Sequence, residues 1–374
     1  MSNQPAVLGP DGIARPYIGG QALIEGVMMR SPHAFAAVIR RKSGELVVRE
    51  EPMADLRKGA RAWPLVRGMV ALVEALKLGS RALRFSAEVY ERDLNEQDAS
   101  AKPSSPSLLS VLSLPIIALA TNEPGPALGP DSGEKKGSSL ITAVSVLFAL
   151  GMFVALPQAF AAGTSSVFQL GLDVRSVGFQ ALTGAAKMVI LIGYMLVIRR
   201  LPEIYRVFQY HGAEHKSIYT YEAGEELSVE NARKKTTLHP RCGTTFIVMV
   251  ALVSIFVFSA LGPFLPNFGL SKLADNVLFF LLKLPFLPFI AAITFELQRL
   301  LARYATRGPL RVLLWPGFLV QKITTIEPDD HQLEVALGAL AVTLGREKGH
   351  RVESTADQQY PGYAELLSGA APAS

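Results

Sequence analysis

The sequence predicts a mainly α-helical integral membrane protein: four transmembrane helices carrying a small cytoplasmic α+β part. Three observations predict it. The composition is 49% hydrophobic and only 18% charged, with a mean hydropathy of +0.28. Four apolar runs reach the roughly 20 residues a helix needs to cross about 30 Å of hydrocarbon. Basic residues concentrate on one set of the loops between those runs.

From the N-terminus, MSNQPAVLGPDGIARPYIGGQ lacks a basic stretch followed by an apolar core, so no cleaved signal peptide is expected and the first segment should stay cytoplasmic. Residues 1–91 form the first cytoplasmic region. Within it, Phe35–Met53 reads as two β-branched runs around Lys42-Ser43-Gly44-Glu45, a hairpin. Trp63–Glu91 carries apolar residues at helical spacing (Leu65, Met69, Leu72, Leu76, Leu83) between basic ones, an amphipathic helix packed on the protein or on the inner leaflet. Residues 92–138 are rich in Ser, Pro and Gly and read as a linker, interrupted by the apolar run Leu108–Ala120, which is too short to span and holds Pro115.

The membrane domain, 139–298, contains the runs Ser139–Ala162, Gly178–Ile198, Thr244–Leu265 and Ala274–Phe295. Arg199, Arg200, Arg206, Lys216, Arg233, Lys234, Lys235 and Arg241 fill the loop 199–243, whereas loops 163–177 and 266–273 hold Arg175 and Lys272 alone. Loop 199–243 and both termini are therefore expected inside. Lys187 and Lys283 fall within spans, where they either snorkel outward or serve a transport pathway, and Pro285 and Pro288 should kink the fourth helix. A second cytoplasmic region runs through 299–351, with Asp329 and Gln332 as a helix cap before an apolar stripe. The tail 352–374 reads as disordered.

The chemistry concentrates in Tyr210–Thr244. Of six His and one Cys in the chain, three His and the Cys lie there. His211 and His215, at i and i+4, share a helix face with Glu214 beside them. The pattern His-Gly-Ala-Glu-His matches HxxEH, in which two His bind zinc and the Glu acts as general base on a bound water. His239-Pro-Arg-Cys242-Gly adds an imidazole and a thiolate on a tight turn. His211, His215, His239 and Cys242 are thus candidate ligands of a divalent metal, with zinc favoured by the mixed His/Cys set, and Glu214 is the candidate base. Glu222, on the same face, could replace Cys242. A single Cys has no disulfide partner in the chain.

Glu25 lies in the apolar context Leu23–Val27 and must be solvated, paired or coordinated. One expectation pairs it with Arg30 or a helix N-terminus; another turns Gln21 and Glu25 toward the metal pocket, Glu25 as a further catalytic group. Thr324–Asp330 is read as a helix cap. Nucleic acid is not an expected partner, because the basic residues adjoin apolar segments without interleaved aromatic rings. The lipid bilayer is, together with a membrane-associated or cytoplasmic substrate that the residues do not identify.

The motifs GGQALIEGVMMRSP, HGAEHKSIYTYEAGEELSVENARKKTTLHPRCGTTF and QKITTIEPDDHQLEVALGAL resemble those of the YqhQ-like family, whose shared region is called domain of unknown function 1385. The resemblance implies a multi-pass bacterial inner-membrane protein in a family described as metal-dependent enzymes. It puts the family's His and Cys positions at His211, His215, His239 and Cys242, and its acidic position at Glu25. The combined expectation is a metal-dependent membrane enzyme, hydrolytic in type, with a non-enzymatic adaptor or assembly factor holding a structural metal as the alternative.

Overall fold

The computed structural model describes residues 6–53, 63–98, 144, 147–266, 269, 271–304, 309–349 and 357–370. The N-terminal region supplies β1 (Ala6–Leu8) and β2 (Ala14–Pro16), a small hairpin, then β3 (Gly19–Leu23), β4 (Gly26–Arg30), β5 (Ala34–Arg40) and β6 (Leu46–Pro52). A late strand, β7 (Gln358–Tyr360), completes an antiparallel sheet in the order β3-β4-β5-β6-β7. The expected 35–53 hairpin is its β5–β6 pair, with Val38 opposite Val48 and Gly44 at φ +94° in the turn.

Both faces of this sheet are covered, which explains why β4 and β5 read as continuous apolar runs rather than alternating ones. Leu23, Met28, Phe35, Ala37, Ile39 and Val47 pack on Leu78, Ala82, Phe85 and Val89 of α1 (Val66–Asp98). The intervening residues Val27, Met29, Ala36, Val38, Leu46 and Val48 pack on two other helices, α4 (Pro202–Glu222) and α10 (Asp330–Glu347). The N- and C-terminal regions, expected as separate units, are therefore one αβα sandwich. The capping box of Asp329 and Gln332 is present at the start of α10.

Among the described residues, four helices are long and apolar enough to cross a membrane: Leu147–Val167, Val177–Ile198, Gly243–Phe264 and Ala274–Ala302. The first contains a π-helical turn at Gly151–Ala155 followed by α2 (Leu156–Val167); the second is α3 (Val177–Ile198). After α4 and the short α5 (Val229–Arg233) comes α6 (Gly243–Leu261). The fourth is α7 (Lys272–Lys283) and α8 (Leu287–Tyr304), joined by a 3-10 turn at Leu284–Phe286 where Pro285 forbids regular hydrogen bonding. Lys283 does not snorkel. It is buried, donates to Gln158 and Gln180, and lies over the rings of Phe258 and Phe279.

α1 spans the two halves. Its start lies so close to α8 that a Cβ on Gly68 would meet the Ala292 backbone at 3.2 Å, and Arg67 forms a bidentate pair with Glu296. Packing rather than surface adsorption thus holds its inner face, while Leu65, Met69 and Leu76 stay exposed.

One hairpin carries no assignment from the sequence, and two expectations need correction. GGQALIEGVMMR is the β3–β4 hairpin, hidden in the sequence because its two-residue turn places Glu25, not Gly or Asn, at positive φ (+53°). The C-terminal tail is ordered from 357 to 370: β7 pairs with β6, and α11 (Tyr363–Ala370) buries Leu366. Helix α1 continues past 91 into the stretch expected as linker, to Asp98. The remaining linker residues and the apolar run 108–120 lie outside the described residues.

Candidate metal centre

Helix α4 starts at Pro202, three residues after the C-cap of α3, and ends where Gly224 takes φ +72°. Its middle is approached by the extended segment after α9 (Trp315–Thr324). Gly212 permits this: a Cβ there would stand 2.1 Å from the Ile326 carbonyl oxygen. The Ile326 N–H donates to the Phe208 carbonyl at 3.0 Å, and Nδ1 of His211 lies 2.9 Å from the Thr324 carbonyl. One turn later Nδ1 of His215 is hydrogen-bonded to the Thr237 carbonyl, in the loop after α5.

A carbonyl only accepts, so both imidazoles carry their proton on Nδ1 and keep Nε2 as a lone-pair donor. Those faces meet Cys242. The His211 Nε2 is 3.1 Å from its Sγ, and one candidate ligand atom each from His211, His215 and Cys242 lie within 4.8 Å of one another. Cys242 is the N-cap of α6, its Sγ accepting from the Thr244 N–H at 3.4 Å. Burial, the largest single influence, raises the thiol, but the neighbouring His215 and Thr244 outweigh it and leave it below its ordinary value. Burial lowers His215 and pushes His239 down to about 4.

Glu214 is 6% exposed and burial pushes it up to about 8, with His211 pulling the other way. It faces Gly20 of β3, whose missing side chain makes its space. His239 stands outside the trio. Its Nδ1 accepts from the Arg241 N–H at 3.3 Å, its ring centroid is 5.4 Å from that of His215, and Tyr219 lies edge-on at 4.7 Å. Its backbone is clamped by Gln321, which accepts from the His239 N–H and donates to its carbonyl, both at 2.7 Å. Glu222 is not free to replace Cys242, being engaged by Arg241.

Glu25 reaches α4 one turn early. Arg206 holds it bidentately and the Tyr210 hydroxyl donates to it at 3.3 Å, so its partner is Arg206 rather than Arg30, which pairs with Glu74. Gln21 points to the opposite sheet face, against Gly79 of α1, as strand alternation requires of the neighbour of Gly20. Within Thr324–Asp330, Glu327 pairs with the buried Lys216, and Asp330 with Arg233. Sequence reasoning missed Gln321 and Thr324 as supports; both stand in QKITTIEPDD, where only the cap was read.

No solved structure matches this chain. The family model described as "Protein of unknown function (DUF1385)" matches residues 63–346. A curated relative, "Uncharacterized protein YqhQ" of Bacillus subtilis (strain 168), is 32% identical over 329 residues, 86% of this chain and 90% of that protein. The chain therefore belongs to the DUF1385 family.

Proposed function

We propose that this protein is a metal-dependent enzyme of the bacterial inner membrane, hydrolytic in type, with its site on the cytoplasmic face. The observation that carries the reading is the convergence of two Nδ1-anchored imidazoles and a helix-capping thiol beside a buried carboxyl. His211, His215 and Cys242 would hold one divalent ion, with zinc matching the N₂S donor set. Carbonyl anchors of this kind fix the ring orientation and raise ligand basicity. Three protein ligands leave a position for water, whose acidity a bound ion would increase. Glu214, one residue from His215 on the same helix, is placed to take a proton, and Gly20 keeps space around its carboxyl. His239 supports the wall through Tyr219 and Gln321. The basic loop 199–243 supports the cytoplasmic placement.

A second reading, a structural metal in a non-enzymatic adaptor or assembly factor, draws support from the depth of His215 and Cys242, 1% and 5% exposed. Elemental analysis of protein purified without chelator tests the shared premise: about one metal per chain is expected, and metal-free protein would sink both readings. Glu214→Gln separates them, since an enzyme loses function with its metal retained and an adaptor keeps both.

A further inference from the structure

A cleft of about 270 Å³ opens beside the candidate metal centre, lined by Leu238, Arg311, Trp315, Phe318, Leu319 and Lys322. Four of its lining residues are apolar, two are cationic and none is acidic. Neither Arg311 nor Lys322 has an ion-pair partner among the described residues. The apolar lining continues outward: Leu310, Val312, Leu313, Trp315 and Leu319 are each about half exposed or more, at 52%, 63%, 48%, 56% and 51%.

The depth of this belt is fixed by three long apolar helices. The Arg199 guanidinium, at the C-cap of α3, donates to the Lys322 carbonyl at 3.2 Å. Gly317 leaves no room for a Cβ beside Thr245, in the first turn of α6. Pro309, where the belt begins, follows the end of α8 by five residues. Trp, cations and exposed aliphatic side chains at the ends of spanning helices are the residue types of the headgroup layer.

We infer that the cleft binds an anionic phospholipid of the surrounding bilayer, its phosphate between Arg311 and Lys322 and its upper acyl chain along Trp315 and Leu319. The inference rests on the membrane placement of the preceding section and not on the metal. A volume just under the usual range for small-molecule pockets suits a headgroup and the start of a chain, not a whole lipid. The occupant would lie against the wall of the metal centre, because Leu238 precedes His239 and its carbonyl accepts from the Tyr219 hydroxyl at 2.9 Å. Anionic phospholipid is accordingly the substrate class, or the positioning lipid, that the site would meet first.

The chain has two tryptophans, so Trp63→Phe leaves Trp315 as the sole indole reporter. Full-length W63F protein in nanodiscs of phosphatidylcholine would receive phosphatidylglycerol or phosphatidylcholine with brominated acyl chains at low mole fraction. Brominated phosphatidylglycerol should quench Trp315 at a mole fraction on the order of tenfold lower than the zwitterionic lipid. The preference should vanish in R311Q/K322Q, persist in R311K/K322R and withstand millimolar inorganic phosphate. Equal quenching by the two lipids, or a preference surviving R311Q/K322Q, would overturn the proposal. Loss of the preference in phosphate would do so too, assigning the cleft to a free anion. Metal content of the same samples reports separately on the centre itself.

Discussion

Gly20 on β3 stands where a Cβ would fall 2.7 Å from Cγ and 2.8 Å from Cδ of Glu214 on α4. The sheet thus sets the position of the carboxyl proposed to act as base, although the two residues are far apart in the chain. Gly20→Ala should push that carboxyl aside at a cost of about 1–3 kcal/mol in stability, typical of overpacking. The expected signature is a modestly lower melting temperature, with bound metal retained and function lost; unchanged function would detach Glu214 from the chemistry.

The placement of His239 makes a sharp comparison of ligand variants. His211→Ala, His215→Ala and Cys242→Ser should each lose the metal, whereas His239→Ala should keep it, because that ring belongs with Tyr219, Arg241 and Glu222. Elemental analysis of the four proteins decides it. Loss of metal from H239A at unchanged fold would make the centre N₃S.

For metal-free protein the pH dependence has a defined sign. Glu214 is pushed from 4.5 up to about 8 by burial, so the folded state binds the proton more tightly than the unfolded chain. Its contribution to stability is complete below 4.5 and is lost as pH rises toward 8. His239, held neutral down to about 4 against an ordinary 6.5, acts oppositely between those values. Above 6.5 the Glu214 contribution should fall with pH up to about 8, against an opposing rise from Cys242, which is held below its ordinary 9.0. Glu214→Gln should flatten that fall; a slope identical to the parent's would contradict the assignment.

Lys216, with its side chain 3% exposed, is satisfied by Glu327 and by the Arg233 carbonyl at 2.9 Å. Removing the carboxylate strands a buried cation, whereas removing the cation leaves a carboxylate that is 67% exposed. Glu327→Ala should therefore lower the melting temperature more than Lys216→Met, by about 1–2 kcal/mol after allowance for solvent screening of Glu327. Equal effects would show that the pair contributes little.

The C-terminal elements make a similar test. Leu366 is fully buried beside Gly338 of α10, so Leu366→Ala should cost about 2–4 kcal/mol. Truncation after Gly349 would uncover the β6 edge and that apolar site together, and should reduce yield and promote aggregation, as gel filtration in detergent would register.

What was legible in the sequence was local. The long apolar helices, the i, i+4 pairing of His211 with His215, the Asp329 cap and the β5–β6 turn all depend on neighbours within a few residues. The hidden parts depend on distant partners. Nothing near Gln321 announces that its amide will clamp His239, nor near Gln358 that a three-residue strand will find β6. Glu25 misled for a different reason: its apolar neighbours signalled an unusual carboxylate, but the partner was Arg206 and the strain was in its own backbone. His239 joins the candidate ligands on spacing alone, which constrains distance along a turn and not which way a ring faces.

Cys242 ends a turn and begins α6 in the same residue, its sulfur accepting from the first turn of a helix apolar enough to cross a bilayer. A soluble fragment trimmed to the αβα sandwich would consequently carry both imidazoles but lack the anchored thiol, and would be a poor stand-in for the intact protein. Biochemical work is best done on whole chains in lipid, with reactants offered at the bilayer surface.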